Sequence, residues 1–472
     1  MIKYFESMNR RPFSAICQNG FGRQVITTNQ TEINELNIVD ELARALDVHN
    51  QNAIEIKYLD GYYRGNQPIR YRKKDVRPEI NNKVVQNLAY MIVETKTAEI
   101  VGEPIQYVLR GTEEDKAEQI DKLNRIMDEE DKPHFDIDLK RWSSICGTAY
   151  RFVGRDNGKG NLVDGSPFYF TTENPVNTFV CYYSNGREAF SCQIREDVNG
   201  ATLYNIYTDK MFFLIKDGEI IRKEQNGFGG IPVVEYPNNS RRLSDIEITI
   251  DITDSINKMA SDRLNSIEGF VSSWIKFINC EVDEESFLAM RQEGALVVKS
   301  NNGENKADVD VMTTELNQTQ SQVAVSDQYE KLLVIQGLAN RQNSASGDTQ
   351  GAVELRNGHY DAEKRAELYE PIFKRAERKT LRLMLNALRI ENDFDLVASD
   401  IDIHITRTKM DNMQVKAQVL QMLLASGIEE SIAIKTVGLF SDAQGTAIAS
   451  KKRMDILYPK EVTEEIKAET DV

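Results

Sequence analysis

The stretch from Phe228 to Phe270 opens as FGGIPVVEYPNN (residues 228–239), crosses a polar break and continues as DITDSINKMASDRLNSIEGF (residues 251–270). The first part predicts a glycine turn and a short buried strand. In the second, Ile252, Ile256, Met259, Ile267 and Phe270, extended by Trp274 and Phe277, fall on one stripe of a helix from Leu243 to Ile278, about 50 Å long at 1.5 Å per residue. Arg263 interrupts the stripe. Such a helix projects beyond a compact domain, and its apolar face stays open unless neighbouring copies cover it. No catalytic residue lies in reach, so the best-marked element points to a part of an assembly rather than to a pocket.

Working toward the C-terminus, residues 279–317 return to short strands, ALVVKS and ADVDVM, around an SNNGEN turn. This insert falls below the usual size for independent stability. A second helix, Gln318 to Leu338, leads back with Val323, Val325, Tyr329, Leu332 and Leu333 on its apolar side. The segment NRQNSASGDTQG (Asn340 to Gly351) is small and polar, the composition of an exposed loop or a plain linker. Beyond it Ala352, Leu355, His359, Ala362, Ala366, Tyr369, Phe373, Ala376, Thr380, Leu383, Ala387 and Ile390 alternate at three and four residues, a seam of about 57 Å if unbroken. Pro371 is expected to kink or divide it. Its opposite face carries Lys374, Arg375, Arg378, Lys379 and Arg382, a solvated basic face or one that meets phosphates. The strand DIDIHITRT (Asp400 to Thr408), further helices and a charged tail from Pro459 complete the chain.

Toward the N-terminus, Ile33, Leu36, Ala43 and Leu46 give an outer helix over Glu32 to His49, and Val84, Leu88, Met91, Ile92 and Ala98 give a second over Asn82 to Val101. Helical spacing continues from Glu113 to Ile145 and ends in the CGTAYRFV turn and strand. From Tyr150 to Val234, β-branched and aromatic runs separated by DNGKGN, YSNGRE and KDGEII predict an antiparallel sheet joined by hairpins, closing an α+β domain near Asn239.

The 472 residues suggest about two to four compact units. With 40% hydrophobic and 28% charged residues, the balance is that of a globular protein rather than a disordered or membrane one. No apolar run spans a bilayer and the N-terminus lacks a signal-peptide core, so the chain is expected in the cytoplasm of the cell that makes it. Cys17, Cys146, Cys181, Cys192 and Cys280 are scattered and expected to be reduced. A net charge of −16 argues against tight grip on nucleic acid, though not against letting DNA slide past. Solubility alone explains it equally well.

Catalytic signatures fail. Gly154, Gly158, Lys159 and Gly160 lack the spacing of a phosphate loop, and the four histidines are too dispersed for a metal site by sequence. Asp136/Asp138, Asp308/Asp310 and Asp400/Asp402 lack a third ligand and are assigned to caps and strand faces. No catalytic residue, cofactor or metal is expected.

Taken in order, YYRGNQPI from Tyr62, the helix ending in VGEPI at Val101, GTAY at Gly147, FGGIPVVEYPNN from Phe228, the helix from Asp251 and QGAVELR from Gln350 resemble the portal proteins of tailed bacteriophages, in the branch common in long-tailed phages and prophages of Gram-positive bacteria. The family usually carries Ser-Gly where this chain has Gln350-Gly351. The resemblance implies a helix-rich α+β portal fold: wing (1–242 and 352–410), stem helices (243–278 and 318–338), an α/β clip (279–317), a tunnel loop (339–351), a helical crown (411–460) and a flexible tail (461–472). It implies a ring of about twelve subunits at one capsid vertex, through which double-stranded DNA is packaged and later ejected. The tunnel loop would line the channel with Asn340, Arg341, Gln342, Asn343, Ser344, Ser346, Asp348 and Gln350. Clip residues Asp283, Glu284, Glu285, Arg291 and Lys299 would meet the terminase large subunit and, later, a head-tail adaptor, while capsid and scaffold proteins contact the wing. The virion vertex, reached through the host cytoplasm during assembly, would be its place, with no membrane partner. Two other classes stay open on the residues alone: a cytoplasmic enzyme acting on nucleic acid through Lys374 to Arg382, and a non-viral oligomeric scaffold without a channel.

Overall fold

The computed structural model of the chain describes residues 13–17, 20–110, 114–155, 166–271, 274–278, 280–281, 299–300, 308–312, 318–340, 359–391, 394–405, 413–438, 440 and 443–457. It is an α+β protein. Strand β1 (Ile26–Thr28) precedes helix α1 (Ile38–Tyr63), which runs well past His49 and is not an outer helix. Two apolar faces in series explain the difference. Ile38, Leu42 and Ala45 pack on a sheet through Phe179, Phe190, Ile206 and Phe213. Ile56, Leu59 and Tyr62 pack instead against Ala89, Val93, Ile145 and Ile250.

Helix α2 covers Leu88–Val101, starting later than the periodicity predicts, and leads to strand β2 (Gln106–Leu109). The helical pattern after it divides into α3 (Glu114–Glu129) and α4 (Lys132–Cys146). The break falls at Asp131, held at φ 51°, with Pro133 two residues on, in the first turn of α4, where proline suits a helix start. Gly147 ends α4 at φ 85°, and a methyl group there would overlap the backbone carbonyl of Arg242.

Strands β3 (Thr148–Arg155), β4 (Phe168–Glu173), β5 (Thr178–Tyr183), β6 (Glu188–Glu196), β7 (Thr202–Tyr207), β8 (Met211–Lys216), β9 (Glu219–Gln225) and β10 (Val233–Pro237) build two sheets. The larger has the order β1-β5-β6-β7-β8-β9, antiparallel except for the β1–β5 pair. Asn185-Gly186 and Asp217-Gly218 make two of its turns, with both glycines at positive φ, as the sequence predicts. The smaller has the order β10-β3-β4.

Helix α5 spans Ile250–Val271 after a 3₁₀ turn at Glu247–Thr249. It is followed by strands β11 (Trp274–Ile278), β12 (Cys280–Glu281), β13 (Lys299–Ser300) and β14 (Asp308–Met312). Helices α6 (Gln318–Gln336) and α7 (His359–Glu391) follow, then strand β15 (Ile401–His404), which pairs with β2. Helices α8 (Met413–Ala425), α9 (Glu430–Val437) and α10 (Ala443–Leu457) end the described chain. Pro371 does not divide α7, which is one element on either side of it.

The largest core lies between α7 and the β10-β3-β4 sheet, with α3 and α4 at its flank. It takes Phe373, Ala376, Leu381, Met384, Leu385 and Leu388 from α7. At its centre four buried charges cancel. Lys132 Nζ lies 2.6 Å from Asp136 Oδ2 and 3.1 Å from Glu377 Oε1. Arg151 bonds Asp136 and reaches Glu377 Oε2 at 3.4 Å. Tyr107 and Tyr236 donate their hydroxyls to Glu377 at 2.5 and 2.8 Å. Burial raises the Glu377 pKa, but Lys132, Arg151 and the two hydroxyls outweigh it and bring it to about 2. Asp136 therefore belongs to neither a cap nor a strand face: it pairs inside the core. Asp138 bonds Arg141 at 2.8 Å, and Asp308 and Asp310 lie on β14.

Candidate functional site

Helices α5 and α6 flank residues 272–317 and pack on each other. The predicted helix through Ile278 ends at Val271, because WIKFI (Trp274–Ile278) pairs with DVDVM (Asp308–Met312) in antiparallel register, Trp274 opposite Met312 and Ile278 opposite Asp308. Aromatic and β-branched residues with a complementary strand favour the ladder over continued helix. The helix is thus about 33 Å long, and a two-stranded ribbon follows it. Ile256, Leu332, Leu333 and Leu338 close the helix pair against Leu88 and Ile92 of α2. Arg263, which breaks the apolar stripe, bonds Gln322 across the pair. Leu264, Ile267, Val323, Val334 and Ile335 remain exposed on the same two helices, Val334 at 70%.

A second stripe on α5, not read from the sequence, is polar. Asn257, Ser261 and Asn265 recur at four-residue steps and are buried. They accept backbone N–H bonds from an extended segment: Gln86 to Asn257 Oδ1 (2.9 Å), Val84 to Ser261 Oγ (2.9 Å) and Asn82 to Asn265 Oδ1 (2.7 Å). Four helical residues rise about 6 Å and two extended residues about 6.6 Å. The helix therefore supplies acceptors at nearly the repeat of a neighbouring strand. This explains why residues 82–86 are extended rather than the first turn of α2. An i, i+4, i+8 count of Asn and Ser, made beside the apolar count, would have found it.

The basic face of α7 does not act as one unit. Lys374 pairs with Glu370 at 2.7 Å and Lys379 with Glu188 at 2.5 Å, so both are used within the fold. Arg375 is exposed. Arg378 and Arg382 line a cleft of about 490 Å³ with Arg110 from the end of β2 and Arg389 from the last turn of α7. Val397, Ala398 and Ser399 from the turn before β15 complete one side. Arg389 donates to the Leu396 carbonyl at 2.9 Å, and Arg110 lies 3.4 Å from Asp402. Burial raises the Asp402 pKa, but His404 and Arg110 outweigh it and hold the carboxyl below its ordinary value. Arg378 and Arg382 make no ion pair among the described residues. Arg110 and Arg389, distant from the basic run in sequence, were not predicted here; only the folded β2–β15 pairing brings them together.

Of the remaining predicted site residues, Asn340 is described, at the end of the segment after α6, and Lys299 lies on β13 opposite Glu281. Arg341, Gln342, Asn343, Ser344, Ser346, Asp348 and Gln350, with Asp283, Glu284, Glu285 and Arg291, lie outside the described residues. So do the DNGKGN turn and the start of the seam at Ala352 and Leu355. Among the described residues no group of three His, Cys, Asp or Glu side chains is placed to hold a metal ion. Nor, among them, is any helix long and apolar enough to cross a membrane. Cys146, Cys181 and Cys192 are buried free thiols, and burial pushes the half-buried Cys17 thiol up to about 12.

The described surface thus carries a helix pair with exposed aliphatic residues, a two-stranded ribbon at its end and an arginine-lined cleft. Residues 42–471 match the model of the phage portal protein family, SPP1 Gp6-like, and the chain belongs to that family. No curated protein sequence matches it. Among solved structures, the neck of an empty GTA particle computed with C6 symmetry aligns with a TM-score of 0.43 and 11% identity, covering 76% of this chain and 91% of that one.

Proposed function

We propose that the chain assembles into a ring of about twelve copies at one vertex of a phage capsid, forming the channel through which double-stranded DNA is packaged and later ejected. The observation that carries this is the family match over residues 42–471. In this reading α5 and α6 are the stem and residues 279–317 the clip, where the terminase large subunit docks during packaging and a head-tail adaptor afterwards. The body built on α1, the two sheets and α7 is the wing that meets capsid and scaffold proteins, and α8 to α10 belong to the crown. The virion vertex is its final place and the host cytoplasm its place of assembly. The portal itself hydrolyses nothing; the motor supplies the work.

Residues 339–351 would be the tunnel loop, where small polar side chains with Arg341 as the lone cation let phosphates pass without adhesion. Substituting proline for Gly347 or Gly351 tests this in an infection or in vitro packaging assay. Procapsids with rings are expected to form normally while DNase-protected DNA in heads falls to background. Packaging at the wild-type level would remove the loop from the channel.

A further inference from the structure

We infer that the arginine cleft of one copy receives the acidic α3–α4 turn of the next, so that each cleft is completed by a second copy of this chain. The inference rests on the ring proposed above and names one contact within it. Arg378 and Arg382 stand four residues apart on α7, an arrangement of like charges that costs an isolated helix free energy, and among the described residues no carboxylate pairs with either. Arg389 is explained by the negative end of the α7 dipole, and Arg110 partly by Asp402. Arg378 and Arg382, well before the helix end, have no such account within the chain. An anionic group from outside would supply it.

The complement is on the same molecule. The turn at Asp128-Glu129-Glu130-Asp131 places four carboxylate residues in succession, and Asp128, Glu129 and Asp131 are exposed with no ion pair among the described residues. It cannot reach its own cleft. The first turns of α3 are tied beside the cleft by Lys116 to Asp400 (3.3 Å) and Gln119 to the Asp395 N–H (3.1 Å). The acidic turn is at the other end of α3, about 14–18 Å along the helix from those anchors. A basic recess and an acidic projection at opposite ends of one rigid element are what a head-to-tail contact between identical copies requires. The shape favours a protein occupant over DNA. A narrow turn enters a recess of about 490 Å³, where a duplex would lie across it, and Val397 at the rim, 42% exposed, offers an apolar contact that phosphates do not use.

Charge reversal in the full-length chain tests the contact. Arg378→Glu with Arg382→Glu is expected to raise the protein concentration for half-maximal ring formation about tenfold at moderate salt, as loss of two ion pairs implies, and to flatten its salt dependence. Adding Asp128→Lys and Glu129→Lys to that chain should restore assembly. The milder Asp128→Asn with Glu129→Asn, at exposed positions remote from the cleft, should weaken assembly with an unchanged thermal melt, which separates contact from folding. Wild-type assembly by the arginine variant overturns the inference, as does a loss that the second reversal fails to restore. Loss of duplex DNA retention with assembly intact would assign the cleft to phosphates instead. A wild-type chain that stays monomeric at every concentration would remove the ring itself, a failure distinct from that of the contact.

Discussion

Glu377 is the residue on which the core between α7 and its sheet depends most. It neutralises Lys132 and Arg151 in a site closed to water, so Glu377→Gln leaves two cations facing one carboxylate. Breaking a buried pair in this way costs about 3–5 kcal/mol, to be read as a shift of the urea unfolding midpoint. Because its folded pKa is depressed to about 2, its stabilisation is present above the ordinary carboxylate range and is lost only as pH falls toward 2. His49 titrates in the window above that. It is buried, bonded to the Val176 carbonyl at 2.8 Å, and burial pulls its pKa from 6.5 to about 4. Between those values the unfolded chain binds more protons, so stability rises with pH across the window. His49 is expected to contribute on the order of 3 kcal/mol above pH 6.5 that is gone below pH 4. In His49→Gln, unfolding free energies measured at pH 4.5 and pH 7 should draw closer together by most of that amount.

Among the elements, the polar stripe of α5 makes the most direct prediction. Ser261→Ala or Asn257→Leu removes the acceptor of the part-buried backbone N–H of Val84 or Gln86, at about 1 kcal/mol each. Hydrogen exchange at those two amides should accelerate ahead of exchange in α2. The existence of α5 was legible because Ile252, Ile256 and Met259 recur on a helical period. Its end was not, since Trp274 and Phe277 continue the same period and only the distant Asp308–Met312 strand, by pairing, turns them into a ladder. In the same way Lys374 and Lys379 read as a free basic face, while Glu370 and Glu188 had already taken them. By sequence Asp136 is assigned to a cap or strand face because nothing local announces that Lys132, Arg151 and Glu377 meet around it. Periodicity records which face an element buries; it carries no information on which distant residue arrives there.

For the whole molecule, the exposed aliphatics of α5 and α6 are surface that neighbouring copies would cover. Val334→Asp, at a position 70% exposed in the single chain, should leave the monomer's thermal melt within about 0.5 kcal/mol of wild type while reducing ring formation seen by native mass spectrometry. Unchanged rings would place that face outside the interface. The bonds from Asn257, Ser261 and Asn265 to the strap at residues 82–86 have a mechanical corollary. They run across the axis of α5, so a pull along that axis loads all three in shear, and they yield together or not at all. Lifting one end of the strap peels them singly. The joint is stiff to thrust along α5 and weak to prying, and it passes axial force from α5 into the body through α2 without the helix having to bend.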